Sequence, residues 1–245
     1  MNELLQRFLR DPMGSVKRAV LKTIVLPIKY GRGRDYDAAG YWSDRFQEYA
    51  MAMKGVGCEG LSEKDNWDAR QRALGVLEHV FRQEGVVWDG LRVLEIGCGN
   101  GFYADYFQKA GVRDYTGVDI TDALFAALRE KFPSCRFVRQ DITAGGVDGR
   151  HDLVLMMDVI QHIVDKEKLL SALRHVRDAL NDGGIFVVAP LTAASRRHLF
   201  HVHRWSLEEM NAVFGPDYAK RIVSFRPGED LVVIRQERRQ GSVNL

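Results

Sequence analysis

Cysteine is scarce in this chain, and the three residues present, Cys58, Cys98 and Cys135, stand far apart with no CxxC pair. Neither a disulfide framework nor a zinc knuckle follows from that spacing, and a reducing, cytoplasmic setting is expected. Long apolar runs are missing too. No stretch of about 18 uncharged apolar residues is found, so no membrane-spanning helix is expected. The start, Met1-Asn2-Glu3-Leu4, has no basic region feeding an apolar run and does not read as a secretory signal. A large charge of one sign is also absent: the net is +2. General nucleic-acid binding needs a concentrated basic surface, so no nucleic-acid partner is expected. What the chain does have is 46% apolar and 28% charged residues over 245 positions. That suits one large globular domain, alone or with an appendage.

The small net charge conceals an uneven spread. Residues 1–34 carry eight Lys or Arg against Glu3 and Asp11, a net of +6, which leaves −4 for the remainder. Two short helical patterns lie there, Leu4-Leu5-Phe8-Leu9 and Val16-Val20-Ile24, divided by Pro12 and Gly14, with Pro27 interrupting the second. The basic stretch 16–34 fits peripheral contact with an anionic membrane; packing on the core or on the second subunit of a homodimer competes with that reading. Tyr36, Tyr41, Trp42, Phe46 and Tyr49 follow closely. They suit a lid over a pocket or the small core of a helical cap, with Phe46 assigned to core. A helix is expected over 41–53 and a loop over 54–60. Ser62 then caps a helix ending before Gly85, with Asp65 as its weaker capping partner.

From residue 91 the rhythm changes to short apolar strands alternating with helices. Strands are expected at 91–96, 115–118, 135–139, 152–157 and 185–189, with helices at 102–110, 122–131 and 166–180. A helix at 206–214 and a hairpin of 221–225 with 231–234 around Pro227-Gly228 complete the series. Near-continuous apolar runs at 153–157 and 185–188 suit parallel strands covered on both faces. Such a βαβαβ series implies an α/β fold with a Rossmann-like, doubly wound sheet.

The sharpest motif is Val93-Leu94-Glu95-Ile96-Gly97-Cys98-Gly99-Asn100-Gly101, placed between a strand and a helix. Glycines at 97, 99 and 101 permit a tight turn and close approach, and the helix start offers N–H groups. The spacing is G-x-G-x-G, not the G-x-G-x-x-G of dinucleotide sites. Glu95 would be a poor neighbour for a pyrophosphate, but it can accept hydrogen bonds from hydroxyl or ammonium groups. Asp119, ending the second strand, is placed to take ribose hydroxyls, with Ile120 beside it. Asp141, with Ile142, follows the third strand and can receive an adenine amino group. A helix cap or an exposed turn would account for either aspartate otherwise.

Together these segments resemble the class I S-adenosylmethionine (SAM)-dependent methyltransferases, in particular their small-molecule group. The resemblance rests on VLEIGCGNG at 93–101, GVDI at 117–120, QDI at 140–142, MMDVIQHI at 156–163 and LNDGGIFVVAP at 180–190. It covers roughly residues 70–235 and implies a seven-stranded sheet with the last strand antiparallel. It also implies that the loop Gly97-Cys98-Gly99-Asn100-Gly101 and Glu95 hold the methionine part of SAM, Asp119 the ribose, and Asp141 with Ile142 the adenine. Residues 66–245 would then form the SAM-binding domain, and residues 1–65 a helical extension acting as lid, dimer arm or membrane-facing cap.

Methyl transfer is a direct displacement, so the protein must chiefly align an acceptor with the cofactor. His162, just beyond the fourth strand, is the first candidate for base or acceptor-positioning residue; a structural histidine is the competing reading. Asp158 either caps the following turn or touches the methionine amino group. His201 and His203, in the basic stretch 196–205, share a side if that stretch is extended, and no third metal ligand accompanies them. The expected activity is methylation of a small molecule, hydroxyl before amine or carbon, on a sugar, secondary-metabolite or cell-envelope precursor. An RNA or protein N-methyltransferase, a non-catalytic SAM-binding subunit and a NAD-dependent dehydrogenase are the alternatives. The region reading MDVIQH lacks the Asn/Asp-Pro-Pro-Tyr or Phe segment of many base and amide methyltransferases.

Overall fold

A computed structural model describes residues 12–236. The amino-terminal part holds α1 (Pro12–Val20), a π-helical segment (Leu21–Val25), α2 (Leu26–Tyr30), α3 (Ala38–Tyr49), α4 (Met53–Val56) and the long α5 (Glu63–Gln83). The alternating part follows: β1 (Arg92–Ile96), α6 (Phe102–Lys109), β2 (Asp114–Asp119), α7 (Phe125–Lys131), β3 (Arg136–Arg139), β4 (His151–Met157), α8 (Lys166–Asp178) and β5 (Leu180–Leu191). Last come a short ribbon of β6 (Arg196–Leu199) and β7 (Val202–Arg204), then α9 (Leu207–Val213), β8 (Tyr218–Arg226) and β9 (Glu229–Gln236).

The main sheet has seven strands in the order β3-β2-β1-β4-β5-β9-β8. The first five are parallel, and β9, the last in the chain, runs antiparallel to both its neighbours. Residues alternate between faces along each strand. Val93, Leu153, Leu155 and Val187 pack with Leu77, Val80, Phe107 and Leu128 on one side. Leu94, Val154, Met156 and Phe186 pack with Leu173, Val176 and Phe214 on the other. Strands covered on both faces account for the uninterrupted apolar runs. Strand order reverses between β1 and β4, which opens a crevice at their carboxyl ends.

The helices start where local chemistry supplies partners for their free N–H groups. Ser62 Oγ accepts from the Asp65 N–H at 3.0 Å and donates to the Asp65 carboxylate at 2.7 Å. Asp165 accepts from the Lys168 N–H at 3.1 Å to open α8. Ser206 and Glu209 form a capping box at α9.

Three expectations need correction. Pro27 does not break its helix: the π segment ahead of it, closed by the Leu26 N–H on the Leu21 carbonyl, carries the chain on to Tyr30. The helix expected over 41–53 is divided, because the chain turns after Tyr49 and restarts as α4 inside the expected loop. The stretch 196–205 folds back on itself as a ribbon. The expected boundary after residue 65 lies just inside α5, which starts at Glu63. The pattern at Leu4–Leu9 lies outside the described residues. No helix among the described residues is long and apolar enough to cross a membrane.

Candidate functional site

The crevice at the strand ends opens into a cleft of about 330 Å³. One end is lined by Glu95, Gly97, Cys98, Gly99, Asn100, Asp119, Ile120, Asp141 and Ile142. The other is lined by Gly33, Tyr36, Trp42, Phe46, His162 and Lys168. Most of the predicted site residues therefore meet in one cavity; Gly101, His201 and His203 are not among its lining residues.

Gly97, Gly99 and Gly101 have φ of 76°, 48° and 76°, where a side chain is strained. The space around them is filled by the protein itself. A Cβ on Gly97 would sit 2.2 Å from Val159 Cγ2, and one on Gly99 would sit 2.7 Å from Val56 Cγ1. The loop's N–H groups are also largely committed. Those of Gly97 and Cys98 donate to the Val118 carbonyl at 2.7 and 3.0 Å, and that of Gly101 to the Cys98 carbonyl at 2.9 Å. The Gly99 N–H donates to Asp119 Oδ2 at 3.0 Å. The loop thus differs from a phosphate cradle, in which those groups face the ligand.

Glu95 and Asp119 at this end are buried, and Asp141 is half-buried. Glu95 accepts a short hydrogen bond from the Tyr115 hydroxyl. Burial, reinforced by the charge of Asp119, pushes its pKa up to about 8 against the pull of Tyr115 and Arg70. Asp119 accepts the N–H groups of Gly99 and Thr121, yet burial lifts its pKa to about 6. Asp141 Oδ1 accepts from the Thr143 N–H at 2.8 Å.

Asp158 behaves oppositely. Arg226 grips both its carboxylate oxygens at 2.7 Å, and Arg70 reaches Oδ2 at 3.1 Å. Burial pushes its pKa up, but the two guanidiniums prevail and hold it below the usual carboxylate range. It lies at a left-handed φ of 57°. It does not cap the following turn, whose N-cap is Val159. Oδ1 accepts one of these bonds and Oδ2 accepts two.

At the far end, His162 Nδ1 lies 2.9 Å from the His201 carbonyl oxygen. A carbonyl only accepts, so Nδ1 carries the proton and Nε2 is the free basic nitrogen. Burial lowers the His162 pKa to about 4, which keeps the ring neutral at physiological pH. Trp42 meets it edge-on at 4.8 Å, and His201 stacks on it at 5.8 Å with planes 5° apart. His201 is itself buried behind His162, with its pKa pushed down to about 2 by burial. His203 instead stacks on Trp205 at 3.7 Å. The two histidines thus have different surroundings: His201 supports His162, and His203 packs on the ribbon's base. No group of three metal-ligating side chains occurs among the described residues.

Residues 33–59 close the cleft from above. Arg45, 7% exposed, donates to the carbonyls of Lys54, Gly55 and Gly57 at 2.8, 2.6 and 2.7 Å and to Glu59 at 2.5 Å. The Asn100 amide donates to the Met51 carbonyl at 3.1 Å, tying the glycine loop to this cover. Tyr30, Tyr36 and Tyr41 pack with Phe200 of the ribbon and Val164. Sequence reasoning singled out the aromatics but not Arg45, Arg70 or Arg226. The last two lie 88 and 68 residues from Asp158, with no motif to connect them.

Comparison with known proteins places the same segments in context. A family described as "Methyltransferase domain" matches residues 93–184. A probable SAM-dependent methyltransferase from Mycolicibacterium smegmatis is 31% identical over 136 residues, 53% of this chain and 47% of that protein. A ubiquinone biosynthesis O-methyltransferase from Cereibacter sphaeroides is 30% identical over 42% of each chain. The chain spans about half the length of these curated relatives. Among solved structures, the SAM-bound magnesium protoporphyrin IX methyltransferase from Synechocystis superposes with a TM-score of 0.61 at 17% identity, covering 82% of this chain and 98% of that one.

Proposed function

From a chain that belongs to the class I SAM-dependent methyltransferases, we propose a protein that methylates a hydroxyl of a small molecule with SAM. The observation that carries this reading is the single cleft joining the carboxyl-lined glycine loop to the aromatic, histidine-bearing cover. The donor set fits SAM better than a dinucleotide. Four loop N–H groups are already used within the chain, while buried carboxyls remain for ammonium and hydroxyl groups. Glu95 and the loop would hold the amino-acid portion, Asp119 with Ile120 the ribose, and Asp141 with Ile142 the adenine.

SAM supplies a methyl group on a sulfonium centre, already activated for displacement. The chain's own task is to exclude water, orient the acceptor and receive a proton. Arg45 fixes the cover that closes the cleft. His162, held by the His201 carbonyl in the tautomer with Nε2 unprotonated, accepts the hydrogen bond of the acceptor hydroxyl, orients it and takes its proton as the oxygen gains the methyl group. Trp42 and Tyr36 supply apolar faces for the acceptor's body. The similarity to a ubiquinone biosynthesis O-methyltransferase supports that acceptor class.

The test is a metabolite screen that follows S-adenosylhomocysteine release, repeated with His162→Ala. We expect turnover on hydroxylated small molecules. The variant should lose about a hundredfold in kcat, within the usual range for positioned acid–base groups, with SAM affinity nearly unchanged. Product only on protein or RNA would refute the acceptor class, and an undiminished kcat would remove His162 from its role.

A further inference from the structure

The chain from Pro12 to Tyr30 is helical throughout, yet its apolar row faces away from the protein. Pro27 and Tyr30 are its buried residues, and Leu26 packs on the aromatic cluster of the cover. Met13, Val16, Val20, Ile24 and Ile28 are exposed, Met13 at 85% and Ile28 at 80%. From Val16 on, these residues recur every fourth position, and each such step overshoots an α-helical turn of 3.6 residues. The row would therefore drift around a regular helix. The π segment Leu21–Val25 takes up an extra residue midway. That offsets the drift and keeps Val20, Ile24 and Ile28 on one side. Leu21 and Val25, also exposed, widen the stripe.

Charge indicates what covers this stripe. Residues 1–34 carry +6 against −4 for the rest of the chain. Lys22 and Lys29 are paired with Glu59 and Asp44. The segment still contains six other basic residues against two acidic ones. An apolar stripe within a basic segment complements a surface that is anionic at its face and apolar beneath. A second copy placed symmetrically on the same stripe would bring two basic segments together, which opposes that pairing. We propose that the helix Pro12–Tyr30 docks this protein peripherally on an anionic lipid surface, with Met13, Val16, Val20, Ile24 and Ile28 entering the boundary between headgroups and acyl chains. The helix ends three residues before Gly33, the first residue of the cleft wall, so the docking face and the cover belong to one continuous stretch.

The test is co-sedimentation of the full chain with phosphatidylcholine vesicles, with and without about one-third phosphatidylglycerol. Neither cofactor nor acceptor is present, so the outcome is independent of the methyl-transfer reading. Binding is expected only to the anionic vesicles, and it should weaken as salt is raised. Ile24→Glu combined with Ile28→Glu should lower partitioning about tenfold or more. Both positions are exposed, so the far-UV circular dichroism should be unchanged; Ile28→Glu alone should act in the same direction if the double variant folds poorly. Absence of binding to anionic vesicles, or equal binding by the folded variants, overturns the proposal. A dimer in sedimentation velocity that the same substitutions dissociate, without vesicle binding, also overturns it and reassigns the stripe to a subunit interface.

Discussion

On the wall of the cleft formed by strand ends, Glu95 and Asp119 are buried among N–H groups and a phenol, and their pKa values rise to about 8 and 6. On the cover above them, the buried charge is Arg45, whose guanidinium is met by three carbonyls and the Glu59 carboxylate. Both regions bury ionisable groups, but the cover meets the charge of Arg45 with three carbonyls and a carboxylate, whereas Glu95 and Asp119 have no cation bonded to them. A buried charge with complete partners holds a loop in place. Buried carboxyls left short of positive charge cost stability, and a site tolerates that cost when a ligand completes them. Asp158 sharpens the contrast, because it lines the same cleft yet is saturated by Arg70 and Arg226.

If Arg45 is structural in this sense, its loss should produce the largest change in stability. Arg45→Ala leaves Glu59 and three carbonyls without their donor, and we expect a cost of about 4 kcal/mol. Urea unfolding measures it, with faster hydrogen exchange across residues 54–59. Arg45→Lys should recover little, because an ammonium cannot reproduce the planar fork. A variant within 1 kcal/mol of the parent, on the order of a surface substitution, would erase the distinction between cover and wall.

The opposite wall should respond in binding. Asp119→Ala removes a charged acceptor aimed into the cleft, and SAM affinity should fall about a hundredfold, or roughly 3 kcal/mol. A calorimetric titration with NAD as control ligand measures this. Undiminished SAM binding would place the cofactor elsewhere, and NAD binding without SAM binding would overturn the cofactor assignment.

The same contrast governs how much was legible in the sequence. The strand wall is written locally: Glu95 through Gly101 occupy one turn, and Asp119 and Asp141 each close a strand that the apolar rhythm reveals. The doubly wound sheet followed from that rhythm, and the seven strands with an antiparallel last strand followed from the family resemblance. Other contacts around the cleft join distant residues. Asn100 with Met51, Arg70 with Asp158 and Arg226 with Asp158 join residues 49, 88 and 68 positions apart. No spacing rule connects such residues, so Asp158 read as a cap or an ammonium contact. The fold-back of 196–205 was hidden for another reason. Its arginines and histidines carry no apolar alternation to reveal a ribbon.

The smallest effect concerns Glu95 and pH. In the folded protein its carboxyl keeps its proton up to about 8, against an ordinary value of 4.5. Between those limits the folded state binds the proton that the unfolded chain has released. Stability from this group is therefore complete below about 4.5 and is lost as pH rises through about 8. Asp119 adds a narrower loss of the same sign, from 3.8 to about 6. Glu95→Gln removes the titration but keeps an oxygen able to accept from Tyr115. The ligand-free parent should therefore lose melting temperature steadily between about pH 5 and pH 8, and the variant should lose less. At the upper end the variant should be the more stable, while binding SAM more weakly. Scanning fluorimetry at constant ionic strength tests both halves. Parallel pH curves would mean that Glu95 is as well compensated as Asp158, and the wall would no longer differ from the cover.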